Sequence, residues 1–233
     1  MITSQDSQVV ADFSKSQLDL ENAELGDEYY YQSLPLCVID TVFSIGVNYA
    51  STRNVVNRFC EHFALKRVGG TEYSQVSEQL SIKDFIKLYN EYGTTRMTEE
   101  VYQNRQRTST RSGILKSEAV LKFSQVLDRY KVNYFQDVDK VIGNTNFEQE
   151  IREIPGQRSG ISTRYFYMLA GSDNYIKPDR MMTRFIYSAL NRKFNVEESH
   201  DVVVGAHGIL IQEYPHLSLR SLDHLIWNYQ RAL

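Results

Sequence analysis

The chain has 233 residues, 42% of them hydrophobic, enough to bury one substantial core or two small lobes that share a cleft. Its two cysteines, Cys37 and Cys60, can build neither a disulfide framework nor a four-cysteine cluster site, and both sit among apolar neighbours, as buried free thiols do. The opening MITSQDSQVV lacks the basic and apolar run of a secretory leader, and no apolar stretch approaches the roughly 20 residues that span a bilayer, so no membrane partner and a cytoplasmic location are expected.

The net charge of −3 conceals an asymmetry. Residues 1 to 30 hold seven acidic residues against Lys15 alone, which leaves the remainder of the chain basic. Arg105, Arg107, Arg111, Lys116 and Lys122 face only Glu118 between 105 and 122. Between 152 and 193, eight basic residues face Glu153, Asp173 and Asp179. Such excesses suit a phosphate-binding surface, and they also occur on ordinary solvated helices.

Taken in chain order, residues 1 to 30 are acidic and poor in periodic apolar positions, and read as a loosely ordered arm before a domain over 31 to 233. Tyr29-Tyr30-Tyr31 reads as a packing patch where the arm meets the body. Pro35 suits a first helical turn, and the LCVIDTVFSIGV that follows is apolar nearly all round, as a buried helix should be. A helix over Asn54 to Phe63 places Val55, Val56, Phe59 and Phe63 on one face. Ser81 with Asp84 resembles a capping box ahead of Ile82, Phe85, Ile86 and Tyr89. Residues 117 to 130 align Val120, Phe123, Leu127 and Tyr130. Further helices fit Asn146 to Ile154, Ile161 to Ala170, Pro178 to Leu190, Asp201 to Tyr214 and Ser218 to Ala232. A strand competes only over Asp201 to Ile211. The fold class expected is all-α, with about ten helices.

The segment from Ile154 to Arg184, IPGQRSGISTRYFYMLAGSDNYIKPDRMMTR, carries the chemistry. It reads as helix, tight glycine turn, helix, loop, then an aspartate at the next helix start. A glycine turn at a helix N-terminus offers backbone N–H groups to a phosphate oxygen without regard to base sequence. Asp179 follows Pro155 by 24 residues. An Asp at that place either caps its helix or serves as a reactive carboxylate.

The order of these elements resembles the helix-hairpin-helix glycosylase superfamily of endonuclease III, adenine glycosylase and 8-oxoguanine glycosylase. I154-P-G stands where that family has its hairpin, K177-P-D-R-M-M-T-R where it has the catalytic Asp motif, and P35-L-C-V-I-D-T-V-F-S-I-G-V-N where it has its first barrel helix. S117-E-A-V-L-K resembles the helix before the hairpin. The resemblance covers roughly 35 to 190 and implies two helical lobes flanking a DNA-binding cleft, a barrel lobe over about 35–170 and a second over about 171–233. It implies Asp179 as the catalytic carboxylate. Double-stranded DNA would be held by Gly156, Gln157, Arg158, Ser159, Gly160 and Ser162 of the hairpin, with Asn48, Arg111, Lys116 and Arg180 nearby, placing the protein on the nucleoid when it acts.

Two departures narrow the expected activity. The lyase lysine of the family falls at or next to Gly160, and no lysine lies between Lys140 and Lys177, which disfavours a Schiff-base mechanism. Gln157-Arg158-Ser159 displaces the hairpin's second glycine to Gly160. The expectation is a monofunctional DNA glycosylase that acts on a damaged or modified base, in repair or in defence against modified foreign DNA. It uses no cofactor and no obligate protein partner. Asp40, inside an apolar run, is a second candidate carboxylate, or else a buried acid bonded to a backbone group or an arginine. Tyr49, Tyr165 and Tyr167 are candidates to stack on a flipped base. His62, His207, His216 and His224 show no ligand spacing, so no metal is expected. A DNA-binding module without catalysis, and a helical interaction protein with a basic face, are the alternatives.

Overall fold

The computed structural model describes residues 3–70, 73–172 and 174–233. Among the described residues the chain is all-helical, with ten α-helices, short 3-10 turns, one π-helical turn at Met97–Val101 and no strand. Two isolated bridges, Tyr31 with Val68 and Arg107 with Leu115, are the only extended pairings among them. The chain divides into two compact units, residues 26–171 and residues 1–25 together with 172–233.

The unit of residues 26–171 is built around α2 (Leu34–Phe43), whose ten residues are all buried. The apolar run after Pro35 has no polar face, so the helix must be enclosed on every side. It packs against α3 (Tyr49–His62), α5 (Lys116–Arg129) and α7 (Ile161–Leu169). Phe43, Phe59, Phe85, Phe123 and Phe166 fill the space between helices, each at most 1% exposed. A fully buried side chain of that size contributes about 1.5–3 kcal/mol. The helix α4 (Ile82–Arg96) begins at the cap that Ser81 supplies to the Asp84 N–H and is interrupted at Gly93, whose φ of 74° leaves the helical region. The hydrophobic face of α6 (Thr145–Glu153) places Phe147 and Ile151 in the core.

The second unit contains α1 (Ser4–Gln17), α8 (Arg180–Leu190), α9 (Val196–Leu210) and α10 (Leu219–Ala232). Val10, Phe185, Ile186, Val202, Val203, Leu210, Leu222 and Ile226 form its core. The span of Asp201 to Ile211 that could have held a strand lies within α9 and its C-terminal cap.

The beginning of the chain corrects the expectation of a loosely ordered arm. Ser4–Gln17 is a regular helix with a capping box between Thr3 and Asp6, and it packs chiefly on α9. Its contact face is made of Ser7, Val10, Ala11 and Ser14, mostly small residues that let the two backbones approach closely. A Cβ built on Gly205 of α9 would stand 2.3 Å from Ser7 Oγ. Asp6 also accepts from Arg192 Nη2 at 2.8 Å, an ion pair between the start of the chain and the residue just after α8 and its cap. The face was hidden from hydrophobic periodicity because half of it is serine.

Val10 is 1% exposed. Val10→Asp is expected to cost more than about 3 kcal/mol in chemical denaturation, because it buries a charge beside apolar neighbours. An arm held loosely in solvent would give a change within about 0.5 kcal/mol.

Candidate functional site

The turn between α6 and α7 is closed by its own backbone. The Gln157 N–H donates to Ile154 O at 2.9 Å and the Gly160 N–H to Gln157 O at 3.2 Å. Gly156 has φ 90° and Gly160 φ 75°, both in the left-handed region that favours glycine. Crowding adds to the conformational demand. A Cβ on Gly156 would lie 2.4 Å from Thr108 Cβ, and one on Gly160 would lie 2.9 Å from an Arg152 guanidinium nitrogen. Pro155, Gly156, Arg158 and Ser159 are exposed around the turn, and Gly160 is the N-cap of α7.

Thr108 belongs to a hairpin-like loop that carries Arg105, Arg107 and Arg111. Its N–H donates to Ile114 O at 2.9 Å, and Lys116 N–H donates to Gln106 O at 2.9 Å. Arg107 Nη1 donates to Gly113 O at 2.8 Å, and Arg105 pairs with Glu99 at 2.9 Å. The two basic stretches, separate in sequence, therefore meet where Thr108 covers Gly156. The sequence shows each stretch and gives no sign of their contact.

Three expected DNA-contacting side chains are not on this surface. Lys116 is 2% exposed, and its ammonium donates to Phe43 O and Ile45 O, both at 2.8 Å. It satisfies carbonyls at the C-terminal end of α2, the place where a cation is favourable. Gln157 is fully buried and Ser162 is 1% exposed, so neither side chain reaches a phosphate. Between the two glycines Gln157 is folded inward while Arg158 and Ser159 stay exposed. Arg111 is exposed, as is Asn48, whose Oδ1 accepts from Ala50 N–H at 2.8 Å as the N-cap of α3.

Asp40 occupies the interior of the same unit with no exposed surface. Tyr31 OH donates to its Oδ2 at 2.7 Å and Tyr165 OH to its Oδ1 at 3.1 Å. The partners anticipated for a buried acid were a backbone group or an arginine; these two are phenols. Burial and the nearby Asp40 hold the Tyr31 and Tyr49 hydroxyls well above the usual tyrosine range. Tyr165 and Tyr167 are core side chains, the latter donating to Val141 O at 2.8 Å, and Tyr49 is the least buried of the three stacking candidates.

Asp179 lies in the other unit, as the N-cap of α8. Its Oδ1 accepts from Met181 N–H at 2.8 Å and Met182 N–H at 3.4 Å. Oδ2 lies 4.0 Å from Lys177 Nζ, and the carboxylate is partly exposed. Capping therefore uses one oxygen and leaves the other outside the cap. Arg180, the first residue of α8, is exposed.

The sequence reading missed Asp223 of α10. Its Oδ1 accepts from Lys177 N–H at 3.1 Å. Burial first and the charge of Asp179 second push its carboxyl up to about 7 from the ordinary 3.8, against the opposing pull of Lys177 and Arg220. No motif marks the pair, since Asp223 sits 44 residues beyond Asp179. Among the described residues no group of three His, Cys, Asp or Glu is arranged to hold a metal ion, and no helix is long and apolar enough to cross a membrane.

A family model described as "Domain of unknown function (DUF8548)" matches residues 7–231. The chain belongs to this family. No curated protein and no solved structure matches it. The matched region includes the α6–α7 turn, Asp179 and Asp223, as well as the α1 residues from Ser7 onward.

Asp223 makes stability depend on pH. The folded chain holds its proton more tightly than the unfolded chain does, so stability is lost as pH rises from about 4 to about 7. Asp223→Asn is expected to flatten that decline. Urea midpoints at about pH 5 and about pH 8 check it: the variant should gain on the native chain at the higher pH. An equal difference at both values would contradict the assignment.

Proposed function

We propose that this protein binds double-stranded DNA and hydrolyses the bond between deoxyribose and a damaged or modified base, leaving an abasic site. The observation that carries the proposal is the α6–α7 turn, with its two positive-φ glycines, exposed Arg158 and Ser159, and the adjacent arginine loop. Backbone N–H groups at a helix start grip a phosphate of any sequence, and arginines supply the salt-dependent part of affinity. The helix-hairpin-helix resemblance assigns the same turn to this task and assigns the reaction to Asp179.

In the reaction proposed, the C1′–N bond breaks and the base leaves with its electron pair, taking a proton from solvent. Positive charge develops on the sugar, as in glycoside hydrolysis, and the Asp179 carboxylate stabilises it. A water oxygen then bonds to C1′, and its proton passes to Asp179. The oxygen of Asp179 outside the helix cap, which faces Lys177 Nζ at 4.0 Å, is suited to this. By the resemblance the lyase position falls at or next to Gly160, and no lysine lies between Lys140 and Lys177, which disfavours strand cleavage through a Schiff base.

The capping bonds of Asp179 favour a second reading, a DNA-binding module in which that residue only starts α8. Duplexes bearing a panel of modified bases, incubated with the protein and then heated in alkali, separate the two. An enzyme yields alkali-dependent breaks that Asp179→Asn reduces by about 100-fold or more. Binding without breaks across the panel supports the module. Gly156→Ala is expected to weaken duplex binding about tenfold while the fold is retained, since the new methyl group must displace Thr108. Fluorescence anisotropy at two salt concentrations checks this; unchanged affinity would contradict a grip at the turn.

A further inference from the structure

The assignment of Asp179 leaves unexplained why a second carboxylate is lodged next to it. Lys177, Pro178 and Asp179 form a short segment ahead of α8, tightened by the Asp179 N–H, which donates to Lys177 O at 2.6 Å. From α10, Asp223 Oδ1 takes the Lys177 N–H at 3.1 Å and so fastens this segment to a different helix. Lys177 Nζ is 4.0 Å from Asp179 Oδ2, which places one residue in touch with both acids, by its backbone and by its side chain. Pro178 between them is buried and contributes no N–H, so the fastening runs through Lys177.

We propose that Asp223 is a positioning residue for Asp179, fixing the Lys177–Asp179 segment onto α10 and setting the charge beside the reactive carboxylate. The inference rests on Asp179 as the hydrolytic group, the reading given above. Among the described residues, the charged groups that face Asp223 are Asp179 and Lys177 from the segment before α8, and Arg220 on α10 itself, which is 3% exposed. When Asp223 holds a proton, Asp179 carries the only negative charge of the two. When Asp223 ionises, the second charge deepens the negative potential felt by a cationic sugar. That speeds base removal, so the rate of the chemical step rises as Asp223 loses its proton.

The test uses the full chain with 13C-labelled aspartate carboxyls, native and as Asp179→Asn and Asp223→Asn. One resonance should titrate near neutrality, be missing in Asp223→Asn, and titrate about one unit or more lower in Asp179→Asn. Single-turnover base release at saturating protein should increase about threefold or more between about pH 6 and pH 8 in the native chain. That rise should be absent in Asp223→Asn and restored by Asp223→Glu, which a purely structural role for Asp223 would not produce. A missing near-neutral titration, or one that Asp179→Asn leaves in place, overturns the proposal. Base release whose pH profile is the same in Asp223→Asn overturns it as well, with Asp179 still catalytic. Coupled titration in a protein that releases no base overturns Asp179 as the hydrolytic group and supports the charge coupling alone.

Discussion

The turn between α6 and α7 can be made only where two residues lack a side chain. Gly156 and Gly160 both occupy the left-handed region, and each has a neighbour within 3 Å of where a Cβ would stand. That constraint orders much of the unit around it. It lets Thr108 lie directly on the turn, which brings the arginine loop alongside; it lets Arg152 pass over the start of α7; and it exposes Arg158 and Ser159 while turning Gln157 inward. The DNA-binding account depends on this piece of backbone more than on any one side chain.

The chain also solves the problem of buried charge in three different ways. Lys116 gives its ammonium to carbonyls at the end of α2. Asp40 receives two phenol hydroxyls within the core of the same unit. Half-buried Asp223, with an N–H donor and a like charge beside it, has its carboxyl pushed up to about 7. A charge taken out of water must be paired, hydrogen-bonded or neutralised. The first two arrangements compensate the buried group with local donors or acceptors, whereas the third retains a group that changes state near neutrality. A titrating group beside a candidate reactive carboxylate is the arrangement expected of a functional site.

The helices were legible where a hydrophobic stripe or an all-apolar run betrays them, as in α2, α5 and α10. The helix α1 was not, because Ser7, Ala11 and Ser14 dock by smallness and shape, to which hydrophobic periodicity is blind. At the candidate site, the glycine turn and the capping Asp179 could be read from local residue types. Lys116 could not be distinguished from a surface lysine, since its partners are backbone carbonyls more than 70 residues away. Tyr31 could be read only as part of a packing patch and Asp223 not at all, for the same reason: each acquires its role from a contact that only the folded chain creates.

The central claim is base removal by hydrolysis, without an enzyme amine attacking the sugar. It is tested most directly by mass spectrometry of the base released from a modified duplex, with borohydride present in a parallel reaction. The account predicts one free base per abasic site, strands intact before alkali, and no protein–DNA adduct trapped by borohydride. A trapped adduct, or tight binding to every modified duplex with no base released, would contradict it.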